Sequence, residues 1–322
     1  KKKGLLIDKK SKIYVAGHSG MVGSALLKFL YKEGYENILK RTRSELDLID
    51  QKRTLEFFKS ENPDYVFLLA AKVGGIQAND KFRGQFIYEN LMIQNNVIHS
   101  AHRSGVKKLI FIGSACIYPK FSRQPISEKE LLNGYLEKTN EPYAVAKIAG
   151  IKLCQSYFEQ YKDNFISIMP NNLYGPNDNF DLETSHVVPA LIRKFHQAKL
   201  SSKDQVIVWG TGNPQREFVH VDDLIDAMIF IMGNIDAKQI YNKGISHINV
   251  SSGEEVSIRQ LAFLIKTIIG FKGQVNFDNS MPDGTPRKIL DGSFLNQFGW
   301  ISKIGLKNGL ESLYSWYSDN YD

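Results

Sequence analysis

Cysteine is nearly missing from this chain: 322 residues contain two, Cys116 and Cys154. Two cannot build a disulfide framework, so a buried apolar core must hold the fold, as expected for a reducing, cytoplasmic setting. Long apolar runs are missing too. None reaches the ~18 residues of a membrane-spanning helix, and Leu5-Leu6-Ile7, behind the opening lysines, is too short for a signal-peptide core, so the start reads as a frayed basic tail and no membrane partner is expected. Internal repeats, low-complexity tracts and long linkers are absent as well. So is a concentrated basic surface. The net charge is +7, but Lys and Arg are spread along the chain, which speaks against a nucleic-acid partner and for a phosphorylated small molecule.

What is present suits a globular protein with a large core: 43% hydrophobic and 23% charged residues. The organising stretch runs from Gly113 to Lys147. Leu109-Ile110-Phe111-Ile112 reads as a buried parallel strand, and Gly113-Ser114-Ala115-Cys116 follows it. Ser114 then stands at the carboxyl end of a strand, where open α/β sheets bind their ligands. Tyr143 and Lys147 lie four apart behind Pro142, so they share one face at the start of a helix. A neighbouring ammonium favours a phenolate and brings a phenol, ordinarily at about 10, closer to acid–base work near neutral pH.

Upstream, Lys12 to Ala16 reads as a strand entering Gly17-His18-Ser19-Gly20-Met21-Val22-Gly23 and an apolar helix. Glycines so spaced permit a tight turn, close approach of a pyrophosphate and tight helix–strand packing, and the helix amino end offers free N–H groups. After Ile38-Leu39 comes Lys40-Arg41-Thr42-Arg43, where basic residues favour NADP over NAD. Tyr65 to Leu69 is the next strand, ending in Ala70-Ala71, and Phe86 to Arg103 a long amphipathic helix. Phe165 to Met169 is a strand, and Pro170 to Pro176 a loop by its Pro, Asn and Gly content.

Alternating strands and helices through Met169 predict an α/β fold: a doubly wound parallel Rossmann-type sheet with a smaller α/β substrate-binding lobe. Val187 to Phe195 and Val221 to Met232 read as helices, Val206 to Trp209 as a strand, and His247 to Val250 as a return to the main sheet. A helix near Ile258 to Ile269 and a turn at Pro282-Asp283-Gly284 follow. The expected division is 1–171 for the dinucleotide, with 218–250 returning to it, and 172–217 with 251–322 for the substrate.

These motifs, with Cys116-Ile117-Tyr118-Pro119-Lys120, Asn172-Leu173-Tyr174-Gly175-Pro176, Arg216-Glu217-Phe218-Val219-His220-Val221-Asp222-Asp223 and Pro282 to Lys288, resemble the extended short-chain dehydrogenase/reductase superfamily. Within it they are similar to the epimerase/reductases of GDP-linked 4-keto-6-deoxy sugars. The resemblance implies NADPH as cofactor, bound by Gly17, Gly20, Met21, Val22, Gly23, Arg43, Ala70, Ala71, Ser114, Tyr143, Lys147, Asn171, Leu173 and His186. It implies Tyr143, Lys147 and Ser114 as the reducing set, and Cys116 with His186 as the pair exchanging protons at C3 and C5 of the sugar. Lys194, Trp209, Arg216, Asp283 and Lys288 match its nucleotide-sugar contacts. No metal is implied, and a homodimer sealed by the helices near 86–103 and 143–161 is. Two residues depart from the pattern: Ser19 stands where an Arg is usual, leaving the 2′-phosphate to Arg43, and Ala115 replaces a second Ser. Two other readings remain open: C4 reduction alone, on a related GDP-4-keto-6-deoxy sugar such as a heptose, or a non-catalytic Rossmann-type binding protein.

Overall fold

The computed structural model describes residues 7–182, 184–281 and 283–321. The opening lysines and Pro282, assigned above to a tail and a turn, lie outside the described residues. The first half alternates strand and helix: β1 (Ile13–Ala16), α1 (Met21–Lys32), β2 (Ile38–Leu39), α2 (Gln51–Glu61), β3 (Tyr65–Leu68), α3 (Ile76–Lys81), α4 (Arg83–Arg103), β4 (Lys108–Ile112), α5 (Glu141–Tyr161) and β5 (Phe165–Pro170). The second half is more mixed: β6 (Asn172–Tyr174), α6 (Val187–Leu200), β7 (Gln205–Trp209), β8 (Gln215–His220), α7 (Val221–Asn234), α8 (Ala237–Tyr241) and β9 (Ile248–Val250). It closes with β10 (Glu255–Ser257), α9 (Ile258–Ile269), β11 (Gln274–Asp278), β12 (Arg287–Lys288), α10 (Ser293–Asn296) and α11 (Leu306–Tyr321).

Six strands form one sheet in the order β2-β1-β3-β4-β5-β9, every neighbour parallel. Such strands are covered on both faces, which is why β4 and β5 are buried along their whole length. One face packs under α1 and α7 through Leu26, Leu30, Leu224 and Met228; the other packs under α2, α4 and α5 through Phe58, Val97, Ile98 and Ile151. The chain leaves β1 toward β2 on one side and returns to β3 on the other. That reversal opens a crevice at the carboxyl ends of β1 and β3.

A second sheet orders β10-β8-β12, with β6 paired to β8, and β11 pairs with β7. Its core, with Leu191, Phe195, Leu261, Ile265 and Leu313, lies under α6, α9 and α11. Two expectations need correction here. Asn172 to Tyr174 is not loop but β6, because its backbone finds a parallel partner in Phe218 to His220. The boundary expected at residue 218 falls inside β8, whose polar start, Gln215-Arg216-Glu217, hid a strand from a reading by apolar pattern. Among the described residues no helix is long and apolar enough to cross a membrane.

Candidate active site

One cavity of about 670 Å³ occupies the crevice, bordered by the Gly17–Gly23 turn, Arg43, Ala70, Ala71, Ser114, Tyr143, Lys147, Asn171, Leu173, His186 and Lys288. Gly17 has φ +89°, and a Cβ there would stand 2.6 Å from the Ala70 amide. A Cβ on Gly23 would overlap the Gly17 carbonyl, so α1 touches the β1 turn only because that side chain is missing. Gly20 begins α1 without a side-chain cap. The open N–H groups of the first turn therefore face the cavity, and this cradle fits the pyrophosphate of a dinucleotide.

Of the basic run after β2, Arg41 is committed to Glu61 at 2.7 Å. Arg43 is freer: it stays exposed, with Asp47 at 3.3 Å and Glu89 at 3.6 Å, and it borders the cavity together with Ser19. It is the cation of that run best able to meet a 2′-phosphate. Asn171, expected at the cofactor, borders the cavity, and its side chain is bonded within the protein. Its Nδ2 donates to Glu217 (2.8 Å) and to the Lys288 carbonyl (3.2 Å), and its Oδ1 accepts from Asn172.

At the other end, β4 delivers Ser114 and α5 delivers Tyr143 and Lys147. Pro142, in the first turn of α5, sacrifices no helical hydrogen bond. Lys147 is buried (2% exposed), donates to the Ile112 carbonyl at 3.1 Å, and lies 4.8 Å from the Phe111 ring centroid and 5.7 Å from that of Tyr143. Burial lowers its pKa to about 8, so it still carries its proton at neutral pH. The same burial raises the Tyr143 phenol above its ordinary value. The expectation was a phenol drawn toward neutrality by the ammonium; burial instead dominates, and Tyr143 is protonated at neutral pH.

Ser114 caps the short helical turn Ala115–Ile117, its Oγ accepting from the Cys116 amide at 3.4 Å. Cys116 is buried, and desolvation pushes its thiol up while Lys288, the Ser114 hydroxyl and Lys147 pull it down. His186 stands at the N-cap of α6, exposed and bordering the cavity, and desolvation lowers its pKa. Both groups are neutral at pH 7.

The remaining expected residues lead outward from the cavity. Lys288 borders it and is the register partner of Arg216 on β8. Gly284 adjoins the Arg216 guanidinium, and Asp283 accepts from the Thr211 amide and hydroxyl, each at 2.7 Å. Trp209, half-exposed, lies 4.9 Å from the Lys194 ammonium. Lys194, Trp209, Arg216 and Asp283 thus lie outside the residues that line the cavity. Among the described residues no group of His, Cys, Asp and Glu could hold a metal ion.

A doubly wound sheet with a glycine turn at its switch point, and Ser, Tyr-x-x-x-Lys at the next strand end, define a short-chain dehydrogenase/reductase of the extended kind. The chain belongs to the NAD dependent epimerase/dehydratase family, which it matches over residues 13–244. It is 54% identical to GDP-L-fucose synthase 1 of Arabidopsis thaliana over 97% of this chain and 95% of that one. It is 52% identical to the GDP-L-fucose synthase of Escherichia coli K12, over 97% and 98%. Among solved structures it resembles MlghC, a GDP-mannoheptose C4 reductase from Campylobacter jejuni with NADP bound, at TM-score 0.91 and 44% identity over 97% and 99%.

Replacing Arg43 by Ala is expected to weaken NADPH about tenfold or more and NADH less than about threefold, since only the former carries the 2′-phosphate. Fluorescence titration of both nucleotides measures this, and equal weakening would make Arg43 an ordinary surface charge.

Proposed function

We propose that this protein converts GDP-4-keto-6-deoxy-mannose to GDP-L-fucose, epimerising C3 and C5 and then reducing the C4 ketone with NADPH. The observation that carries the reading is the meeting of two chemistries at the carboxyl end of β4. Ser114, Tyr143 and Lys147 suit carbonyl reduction, and Cys116 lies within their electrostatic reach. Relatives named GDP-L-fucose synthase, above half identical over nearly the whole chain, support the substrate. The heptose reductase, at 44% identity, supports the C4 chemistry.

NADPH supplies a hydride to C4. Tyr143 gives its phenolic proton to the C4 oxygen, and the Lys147 ammonium stabilises the phenolate left behind. Ser114 donates a hydrogen bond to the same oxygen. Protons beside a ketone are acidic, and Cys116 and His186 remove and return them at C3 and C5. Arg216 and Lys288 face the pyrophosphate, with Lys194 and Trp209 further out at the nucleoside. In this reading the six-stranded sheet carries the dinucleotide, and the segments around 172–217 and 251–322 carry the GDP-sugar. The chain works in the cytoplasm as a homodimer, a reading supported by Tyr88 and Val145, exposed on the packed pair α4 and α5. A single-chain mass by light scattering at micromolar concentration would contradict the dimer.

Tyr143→Phe should lower reduction by about a hundredfold or more and leave NADPH affinity nearly unchanged. Retained turnover would remove Tyr143 from its role. Cys116→Ser should stop exchange of solvent deuterium beside the ketone yet leave a slow reduction of the unepimerised sugar. In the wild type the exchange rate should rise with pH, about tenfold per unit below the thiol pKa, because burial raises that pKa and only the thiolate is basic. An exchange rate independent of pH, or unaltered in the serine variant, would exclude Cys116 as the base.

A further inference from the structure

Glu217 lies inside β8 with 0% of its surface exposed. Along a strand neighbours point to opposite faces, so Arg216 and Glu217 look away from each other. A buried carboxylate is costly unless its oxygens are fully bonded. Here the described partners are all N–H or O–H donors. Oε1 accepts from Ser251 Oγ and the Ser252 amide, both at 2.5 Å, from the Gly253 amide at 3.1 Å and from Ser252 Oγ at 3.3 Å. Oε2 accepts from Asn171 Nδ2 at 2.8 Å and the Leu290 amide at 3.0 Å.

Those donors come from three places. Asn171 follows β5 and walls the dinucleotide cavity. Ser251 to Gly253 follow β9, the last strand of the same sheet. Leu290 stands two residues past Lys288, whose carbonyl also accepts from Asn171 at 3.2 Å. The carboxylate therefore binds the cofactor side of the cavity to the paired strands that present Arg216 and Lys288. A packing role would need only volume. Six donors converging on two oxygens need an anion, since an amide of the same shape would turn an NH₂ group toward at least two N–H donors.

We infer that Glu217 is a positioning residue: it fixes the register of Arg216 and Lys288 against the end of β5, and so holds a GDP-sugar at working distance from Tyr143 and the nicotinamide. This rests on the GDP-sugar reading above, and the probes are GDP-mannose and NADP⁺ for binding and the keto sugar for turnover.

In Glu217→Gln, GDP-mannose affinity should fall about tenfold or more while NADP⁺ affinity stays within about threefold, as expected when an aligned set of contacts is displaced on one side only. The kcat for the keto sugar, per NADP⁺-titrated site, should fall about a hundredfold. Adding Asn171→Asp exchanges donor and acceptor between the two side chains and should recover about threefold or more of the GDP-mannose affinity. A merely structural role would lower the melting temperature, weaken both ligands alike and show no recovery. That pattern, or a folded Glu217→Gln within about twofold of wild type in every readout, overturns the inference. Should Glu217→Gln not fold, Ser251→Ala removes one donor and must weaken GDP-mannose, not NADP⁺, by about threefold; no such difference overturns it equally. Absence of turnover in the wild type would instead refute the keto-sugar reading, and the two binding titrations would still decide the role of Glu217.

Discussion

The Lys147 ammonium is held at the end of β4 by the Ile112 carbonyl, with the Phe111 and Tyr143 rings both close by. A buried cation must be bonded where it stands, so this contact locks the first turns of α5 to the strand that carries Ser114 and Cys116. Three consequences follow from one contact. The phenol of Tyr143 is placed, the reducing set is gathered at one strand end, and the thiol of Cys116 gains a cation that partly offsets its burial. Burial keeps the Tyr143 phenol protonated, with the Lys147 ammonium 5.7 Å from its ring centroid.

The second constraint is how the chain leaves the main sheet. Between β5 and β6 stands only Asn171, and its side chain is bonded to Glu217 on β8 and to the backbone of β12. The dinucleotide cavity and the paired strands that present Arg216 and Lys288 are therefore two faces of one hydrogen-bonded structure, not two bodies joined by a tether. Burial of Glu217 is the cost of that connection, and its full set of donors is what makes it tolerable.

Much of this was legible in the sequence because it is local. Gly17, Gly20 and Gly23 declare a tight turn at fixed spacing, and Tyr143 and Lys147 declare one helical face; neither needs knowledge of distant residues. That the main sheet is parallel and covered on both faces follows from the same alternation, but the order of its strands does not. What was not legible depends on partners far along the chain. β6 is too short and β8 starts too polar to stand out, and each completes backbone bonds of the other. Glu217 looks like an ordinary surface charge until residues 171, 251–253 and 290 converge on it. The protonation state of Tyr143 was misjudged for the same reason: a neighbouring lysine can be read from a motif, but depth of burial cannot, and here burial dominates.

The most direct measurement is the fate of solvent hydrogen in the product. The wild-type protein is incubated in D₂O with NADPH and GDP-4-keto-6-deoxy-mannose, and the product is identified by NMR. A site that joins proton exchange to carbonyl reduction predicts GDP-L-fucose bearing deuterium at both C3 and C5, with the hydrogen at C4 coming from NADPH. A reduced sugar of unchanged C3 and C5 configuration and free of deuterium at both would contradict it.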